Sequence, residues 1–253
     1  MLLETKDLTK NFGGLAAVSD FSMQVAEGEI VGLIGPNGAG KSTVFNLITG
    51  VLPATSGRIV YDGRDITKKL PDQVAKLGIG RTFQLNPLFP DFTVLENVTS
   101  SFFLHPHSSL VSVFFNTRSY RANEAFIEEK AREILARVGL AEEADELAKN
   151  LAHGHQKMLG VARALATKPR LLLLDEPLAG MNPGEIQASL DAIRGMRDNG
   201  ITVLIVEHNM QILSLCDRVV VISFGKKITE GLPEEVRANQ EVISAYFGSD
   251  YVC

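Results

Sequence analysis

The sequence has few of the features that mark secreted, zinc-binding or nucleic-acid-binding proteins. Only two of its 253 residues are cysteines, Cys216 and Cys253, and they are far apart with no CxxC spacing. We therefore expect neither a disulfide framework nor a zinc site. The same scarcity of cysteine favours a cytosolic protein. With 25 basic and 30 acidic residues the net charge is -5, which gives no electrostatic reason to expect nucleic acid as a partner.

Long uninterrupted apolar runs are also missing. The closest candidate, residues 102–115, is broken by histidine, proline and serine, whereas a membrane span needs about 18 or more apolar residues. The N-terminal residues lack the basic and apolar blocks of a signal peptide, so we expect no export. Any contact with a membrane would then run through a partner. The 45% apolar content still supports a sizeable core, as one domain with a subdomain.

The most informative stretch is a glycine-rich loop that follows the apolar run 30–34 and precedes the helix-like run 44–48. Its residues are Gly35, Pro36, Asn37, Gly38, Ala39, Gly40, Lys41, Ser42 and Thr43. This G-x-x-x-x-G-K-S order stands in the strand-to-helix context that phosphate binding requires. The glycines allow backbone N–H groups to turn inward around an anion at a helix N-terminus. Lys41 would reach the outer phosphates, and the Ser42 hydroxyl would join the coordination of Mg²⁺.

Hydrophobic patterning predicts an α/β fold. Residues 3–9 and 21–25 alternate around Gly13 and Gly14, as antiparallel strands do; Phe12, beside this turn, is compatible on its own with ordinary sheet packing. The apolar runs 171–174, 201–206 and 218–222 alternate with a helical pattern at 183–197, which predicts parallel strands. The tail 233–247 looks helical, and residues 248–253 are expected to fray.

The middle of the chain differs in pattern, with prolines and helical periodicity in place of strand-like runs. Two prolines follow within residues 85–91, and residues 93–138 are typical of helices separated by a loop; the strongest helix covers 123–138 and is closed by Gly139. We therefore predict a P-loop NTPase core with a parallel sheet, an N-terminal antiparallel β subdomain and an inserted helical subdomain. The core and β subdomain would comprise residues 1–84 and 168–253, and the helical subdomain residues 85–167.

Polar residues follow several of the predicted strands. Asp175 and Glu176 close the run 171–174, and ligands of parallel sheets bind at the carboxyl ends of strands. Asp175 is predicted to hold Mg²⁺ through its water shell, and Glu176 to act as general base on a water in line with the γ-phosphate. Gln84 offers an amide that can ligate metal and water. His208 can stabilise charge or orient water, although a lone histidine is often structural.

A second polar, glycine-containing stretch opens the helical run 157–166. It consists of Leu151, Ala152, His153, Gly154, His155 and Gln156. Such a helix start is a second anion site. Because the subdomain separates the two termini, they need not meet within one molecule. Two chains that face head to tail would let each supply what the other lacks.

In their order and spacing, these motifs resemble those of the nucleotide-binding subunits of ABC transporters, over residues 3–248. The resemblance implies a Walker A loop, a Q-loop at Gln84, a signature at 151–156, a Walker B motif at 171–176 and a switch histidine at His208. It also implies that Phe12 stacks on adenine and that residues 179–182 form the D-loop. ATP and Mg²⁺ would be the cofactors. The partners would include a second ATP-binding subunit, either the same chain or a paralogue.

A narrower resemblance is to the ATPases of branched-chain amino acid importers. Its carriers are residues 81–84, 101–121, 206–210, 235–239 and 242–248. It implies transmembrane permease subunits, a substrate-binding protein, a peripheral place on the cytoplasmic face of the inner membrane, and uptake of branched-chain or other hydrophobic amino acids. The region with Gln84 and the insert would dock on the permease. Lipopolysaccharide export, urea uptake and a soluble regulatory ABC ATPase remain open; Glu176 and the signature disfavour a P-loop kinase.

One departure from the family is in the signature. The usual sequence is Leu-Ser-Gly-Gly-Gln, but Ala152, His153 and His155 replace three of these residues here. Ala152 removes a hydroxyl whose hydrogen bond to the γ-phosphate would be worth on the order of 1.5–3 kcal/mol, while the backbone N–H groups survive. We predict slowed but not abolished hydrolysis, with His153 or His155 as a replacement donor. The alternative is that the subfamily tolerates variation at this position.

Overall fold

A computed structural model describes residues 1–82, 87–104, 117–207 and 210–247. Its strands, in chain order, are β1 (Leu3–Phe12), β2 (Leu15–Val25), β3 (Ile30–Ile34), β4 (Ser56–Tyr61), β5 (Arg64–Asp65), β6 (Ile79–Arg81), β7 (Leu171–Asp175), β8 (Thr202–Glu207), β9 (Arg218–Ser223) and β10 (Lys226–Gly231). Its helices are α1 (Lys41–Ile48), α2 (Pro71–Lys76), α3 (Val94–Thr99), α4 (Arg118–Arg137), α5 (His153–Leu165), α6 (Pro183–Asp198), α7 (Pro233–Ala238) and α8 (Gln240–Phe247). Short 3₁₀ helices occupy Ser100–Leu104, Ala148–Asn150 and Met210–Ser214.

The strands form two sheets. The first is antiparallel, with the order β2-β1-β4-β5, which confirms the predicted N-terminal antiparallel unit. The second has the order β10-β9-β3-β8-β7-β6; neighbours from β9 to β6 are parallel, and only β10 is antiparallel. The prediction of a parallel sheet therefore misses one edge strand. β10 is exposed or half-buried along its length, so it lacks the continuous apolar run that reveals its neighbours.

The central strands β3, β7 and β8 are buried throughout. Alternate residues of β3 point to opposite faces: Ile30 and Ile34 join one apolar cluster, and Val31 and Leu33 join another. The first cluster includes apolar residues of α3, α4, α5 and α6, and the second those of α1 and the antiparallel sheet. Because these three strands are parallel, their carboxyl ends meet at one edge of the sheet, where the glycine loop, Asp175 and Glu207 lie.

Some helix predictions need correction. α4 begins at Arg118 rather than at residue 123, and the large apolar side chain of Phe126 on this helix is 44% exposed. The predicted glycine stop is confirmed, since Gly139 has φ +78°. The tail forms two helices rather than one, because Asn239 has an extended ψ of 122° and its Oδ1 accepts the N–H of Glu241 at 2.8 Å.

Helices α3, α4 and α5 lie between β6 and β7 in the chain, and the boundaries of a separate helical subdomain at residues 85–167 stay a prediction. Most of the loop within the insert, residues 105–116, and the tail 248–253 lie outside the described residues. In the part of the chain that the structure describes, no helix combines the length and apolarity needed to cross a bilayer.

Candidate functional site

The glycine loop joins β3 to α1 and is tightly enclosed. Gly40 has φ +107°, and a Cβ there would lie 2.6 Å from the carbonyl oxygen of Ala17. Gly35 has no positive φ; its requirement is space, because a Cβ would lie 2.1 Å from the carbonyl oxygen of Ile222 in β9. The N–H of Gly225, in the β9–β10 turn, donates to Ala39 O at 2.9 Å. Two neighbouring segments therefore fix the shape of the loop.

The N-terminus of α1 has no side-chain cap. Gly40 is its N-cap residue and provides no side-chain acceptor, whereas side chains of Thr93, Thr117 and Asn182 cap α3, α4 and α6. The first N–H groups of a helix have no partner within the helix. At α1 no side chain caps these groups, which is compatible with the predicted phosphate site; that site stays a prediction.

Lys41 is the first residue of α1 and only 6% exposed. Its Nζ donates to the carbonyl oxygens of Gly35 at 2.7 Å and Pro36 at 3.0 Å, so the side chain folds back along the loop. Burial lowers the pKa of Lys41, and the negative charges of Glu176, Asp175 and Glu207 oppose that shift. The ammonium group is thus held at the loop by two hydrogen bonds, and it interacts electrostatically with three carboxylates.

Asp175 ends β7 and is 5% exposed. Its Oδ2 accepts from Arg81 Nη2 at 3.0 Å, and its backbone N–H donates to Thr82 Oγ1 at 3.1 Å. Arg81 Nη1 also donates to Asn46 Oδ1 at 2.7 Å and Thr49 Oγ1 at 3.1 Å, which ties α1 to β7. Burial raises the pKa of Asp175, and Arg81 opposes that rise. Oδ1 of Asp175 is buried and has no hydrogen-bond partner among the described residues.

Glu176 follows in an uncommon backbone conformation. Its φ is +48°, and a left-handed residue with a side chain costs about 1–2 kcal/mol. Its N–H donates to Val206 O at 2.9 Å, and its carbonyl accepts from Lys157 Nζ at 2.7 Å. Two residues further on, the N–H of Leu178 donates to Oε1 of the fully buried Glu207 at 2.8 Å. The half-buried carboxylate of Glu176 thus sits on a firmly bonded turn.

The second predicted anion site lies at the start of α5. This helix begins at His153 rather than at residue 157, with Ala152 as N-cap and no side-chain cap. Ala152 and His153 are exposed. A Cβ on Gly180 would lie 3.0 Å from Cδ2 of His153, so that ring lies against residue 180. His155 Nδ1 lies 3.2 Å from Glu143 Oε1, which engages one of the two candidate replacement donors.

Gly154 sits where a side chain would not fit without movement. A Cβ at this position would lie 2.9 Å from Cδ of Glu185, at the start of α6. Glu185 in turn accepts the N–H of Asn182 at 2.8 Å through Oε2. The start of α5 is therefore in close contact with the start of α6, the helix that follows residues 179–182.

Phe12 ends β1 and is 48% exposed, with Lys10 Nζ 5.1 Å from the ring centroid. The ring is thus not buried in the sheet, and its stacking on adenine stays a prediction. The structure brings Lys41, Asp175 and Glu176 to one edge of the sheet. Gln84 and His208 lie outside the described residues.

Sequence reasoning missed three charged residues at this edge, namely Arg81, Lys157 and Glu207. Arg81 and Glu207 are the last residues of β6 and β8, and they precede Gln84 and His208 closely in the chain. A charge at the end of a buried strand is an available signal, because charged residues are seldom fully buried without a partner. Lys157 offers no such signal, since nothing in the chain indicates that it reaches Glu176.

Comparisons with known proteins agree with this arrangement. The sequence profile of the ABC transporter family matches residues 18–179, and a profile described as a branched-chain amino acid ATP-binding cassette transporter matches residues 226–252. The chain is 41% identical to the high-affinity branched-chain amino acid transport ATP-binding protein BraF of Pseudomonas aeruginosa over 249 residues, which cover 98% of each chain.

Solved structures are similar over nearly the whole chain. The ADP conformation of an ATP-binding cassette of an ABC transporter matches with a TM-score of 0.85 and 34% identity, covering 98% of both chains. A dimeric bacterial ABC transporter cassette matches with a TM-score of 0.79 and 25% identity, covering 92% of this chain and 99% of that one. The loop, strand and helix arrangement described above is therefore that of an ATP-binding cassette.

Proposed function

Because the chain belongs to the ABC transporter family of nucleotide-binding, ATP-hydrolysing proteins, we propose that it powers the uptake of branched-chain or other hydrophobic amino acids. One observation carries this proposal: 41% identity to a high-affinity branched-chain amino acid transport ATP-binding protein, over 98% of both chains. The match of residues 226–252 to a profile of the same transporter class supports it independently of the catalytic motifs.

In the proposed ATP complex, Phe12 stacks on adenine and residues 35–43 surround the phosphates. Mg²⁺ prefers oxygen ligands and usually combines one or two carboxylates with substrate phosphates and waters. The buried, unpartnered Oδ1 of Asp175 fits this requirement among the described residues, and we assign Ser42, Asp175 and Gln84 to the cation. When bound, Mg²⁺ neutralises charge on the β- and γ-phosphate oxygens.

In the proposed hydrolysis, Glu176 is the general base. Its carboxylate accepts a proton from the attacking water, whose oxygen bonds to the γ-phosphorus as the bond to the β–γ bridging oxygen breaks. Lys41 stabilises the negative charge on the outer phosphates. Gln84 and His208, which lie outside the described residues, are assigned to orienting the water and stabilising charge.

A second ATP-binding subunit, identical or paralogous, completes each site in this proposal. The uncapped and exposed N-terminus of α5 would then bind the γ-phosphate held by the other chain. His153 is the better replacement donor for the missing serine, because it is exposed while His155 contacts Glu143. A dimeric cassette of the same fold supports this assembly.

The permease contact is assigned to the region with Gln84 and the insert, together with the adjoining groove between α2, β6 and α5. Its volume is about 390 Å³, and it is lined by residues that include Thr49, Pro71, Gly80, Thr82, Gly160 and Arg163. Phe102, in the apolar run 102–115, is 5% exposed and belongs to the core, and residues 105–116 lie outside the described residues. Docking here would place the protein on the cytoplasmic face of the inner membrane.

Transport and hydrolysis can be tested together. We expect the protein to copurify from membranes with permease subunits and to drive ATP-dependent leucine uptake in proteoliposomes that also contain a substrate-binding protein. Glu176→Gln should abolish uptake and accumulate a dimer in the presence of ATP. A protein that stays in the soluble fraction without permease would instead support the regulatory ATPase, and uptake of urea without leucine would support a urea importer.

The permease contact has its own test. Deleting residues 108–116 should weaken permease copurification and spare ATP binding.

A further inference from the structure

Two charged side chains close to Glu176 take no part in the nucleotide contacts proposed above. Lys157 lies in the first half of α5, and Glu207 is fully buried at the end of β8. Lys157 Nζ donates to the carbonyl oxygen of Glu176 at 2.7 Å, and Glu207 Oε1 accepts the N–H of Leu178 at 2.8 Å. Both contacts are to backbone atoms, so they determine where the chain runs at residues 176–178.

This backbone segment has to be held in place. Glu176 has φ +48°, in the left-handed region that residues with a side chain rarely adopt, and such conformations persist when the surroundings enforce them. Its N–H donates to Val206 O at 2.9 Å. Together with Lys157 and Glu207, this gives three hydrogen bonds, which come from β8 and α5.

The charges around the segment favour the same arrangement. Burial lowers the pKa of Lys157, and the negative charges of Glu207, Glu176 and Asp175 oppose that shift. The same three carboxylates act on Lys41. Lys157 therefore interacts with the acidic cluster from the α5 side, while Lys41 does so from the glycine loop.

We propose that Lys157 and Glu207 are positioning residues that clamp the backbone of residues 176–178 and thereby direct the Glu176 carboxylate toward its water. The inference rests on the proposed role of Glu176 as the base. Because Lys157 belongs to the helix that begins with His153, the clamp also links the position of the base to the position of α5.

The direct test removes each clamp contact and measures ATP hydrolysis by the full chain. Lys157→Met and Glu207→Met should each lower kcat on the order of 10- to 100-fold, as small misplacements of reacting groups do. KM for ATP should change less than about twofold, since the nucleotide contacts remain. Lys157→Arg keeps a donor and Glu207→Gln keeps an acceptor oxygen, so both should retain most of the wild-type kcat.

Two matched variants separate this effect from a loss of stability. Lys149→Met removes a lysine that pairs with Asp91 at 2.8 Å, and Glu96→Met removes a glutamate that accepts the N–H of Thr93 at 2.7 Å. Glu96→Met should lower Tm because it breaks a helix cap, yet keep kcat. Assays run well below the lowest Tm of the set then compare folded proteins only.

Glu176→Gln, measured in parallel, distinguishes failure of the clamp from failure of the base. If Glu176→Gln is inactive while Lys157→Met and Glu207→Met both keep the wild-type kcat, the clamp is overturned and the base assignment stays intact. Full activity in Glu176→Gln would overturn both. A raised KM with unchanged kcat in Lys157→Met would also overturn the clamp, because it would make Lys157 a nucleotide-binding residue.

Discussion

The helices α1 and α5 both begin without a side-chain cap, but their surroundings differ sharply. At α1, Lys41 is nearly buried, the loop before it is enclosed by neighbouring backbone, and Arg81 ties the helix to Asp175. At α5, Ala152 and His153 are exposed. The first predicted anion site is therefore preorganised by the protein's own core. The second predicted site lies on the surface, as a site completed by another molecule would.

The largest effect is expected from removing Arg81, which connects α1 to Asp175. Arg81→Met leaves the buried Asp175 carboxylate without its ion-pair partner, and such changes cost about 3–5 kcal/mol in the free energy of unfolding. Because Arg81 lowers the pKa of Asp175, its loss should raise that pKa further. The acidic limb of the ATPase pH profile should then move to higher pH. Chemical denaturation and pH–rate curves measure the two effects, and an unshifted acidic limb would contradict the second.

Removing the charge on the first anion site comes next. Lys41→Met should lower ATP hydrolysis by about 10²–10³-fold, the usual loss when a preorganised donor to a developing negative charge is removed. Nucleotide affinity should fall as well. Titration with a fluorescent ATP analogue and steady-state kinetics provide the measurement. Near-normal affinity would show that the α1 terminus holds phosphate without the lysine.

A smaller change is expected at the surface site. Ala152→Ser restores a hydroxyl at the N-cap of α5, where the backbone angles of −56° and 152° already suit a capping residue. The serine should stabilise the fold by about 1 kcal/mol and raise dimer ATPase activity by about 10- to 100-fold, the rate equivalent of 1.5–3 kcal/mol. If stability rises and the rate does not, the serine caps the helix only, and the subfamily tolerates alanine.

The smallest effect concerns His155. His155→Gln removes the partly exposed contact with Glu143 and returns the glutamine that is usual in the signature. A partly exposed polar contact of this kind contributes about 0–1 kcal/mol, so Tm should change little. A destabilisation as large as that of Arg81→Met would erase the contrast between the two helix termini.

Much of this architecture is predictable because its signals are local. The glycine loop, the antiparallel first hairpin and the apolar strands at β7, β8 and β9 follow from residue spacing alone, and the structure confirms them. β10 is missed because a half-exposed edge strand carries no continuous apolar run. The tail is read as one helix because the break at Asn239 comes from a single extended residue whose side chain caps the next helix.

The sequence by itself determined the glycine loop, the acidic pair at the end of β7 and the polar stretch 151–156 at the start of a helix, because each depends on neighbours within a few residues. Only the tertiary structure decided that Arg81 reaches Asp175, that Lys157 reaches the backbone of Glu176 and that Glu207 reaches Leu178. The physical reason is the strand order. Parallel pairing of β6, β7 and β8 brings distant strand ends to one edge, and the packed helices fix which side chains meet there.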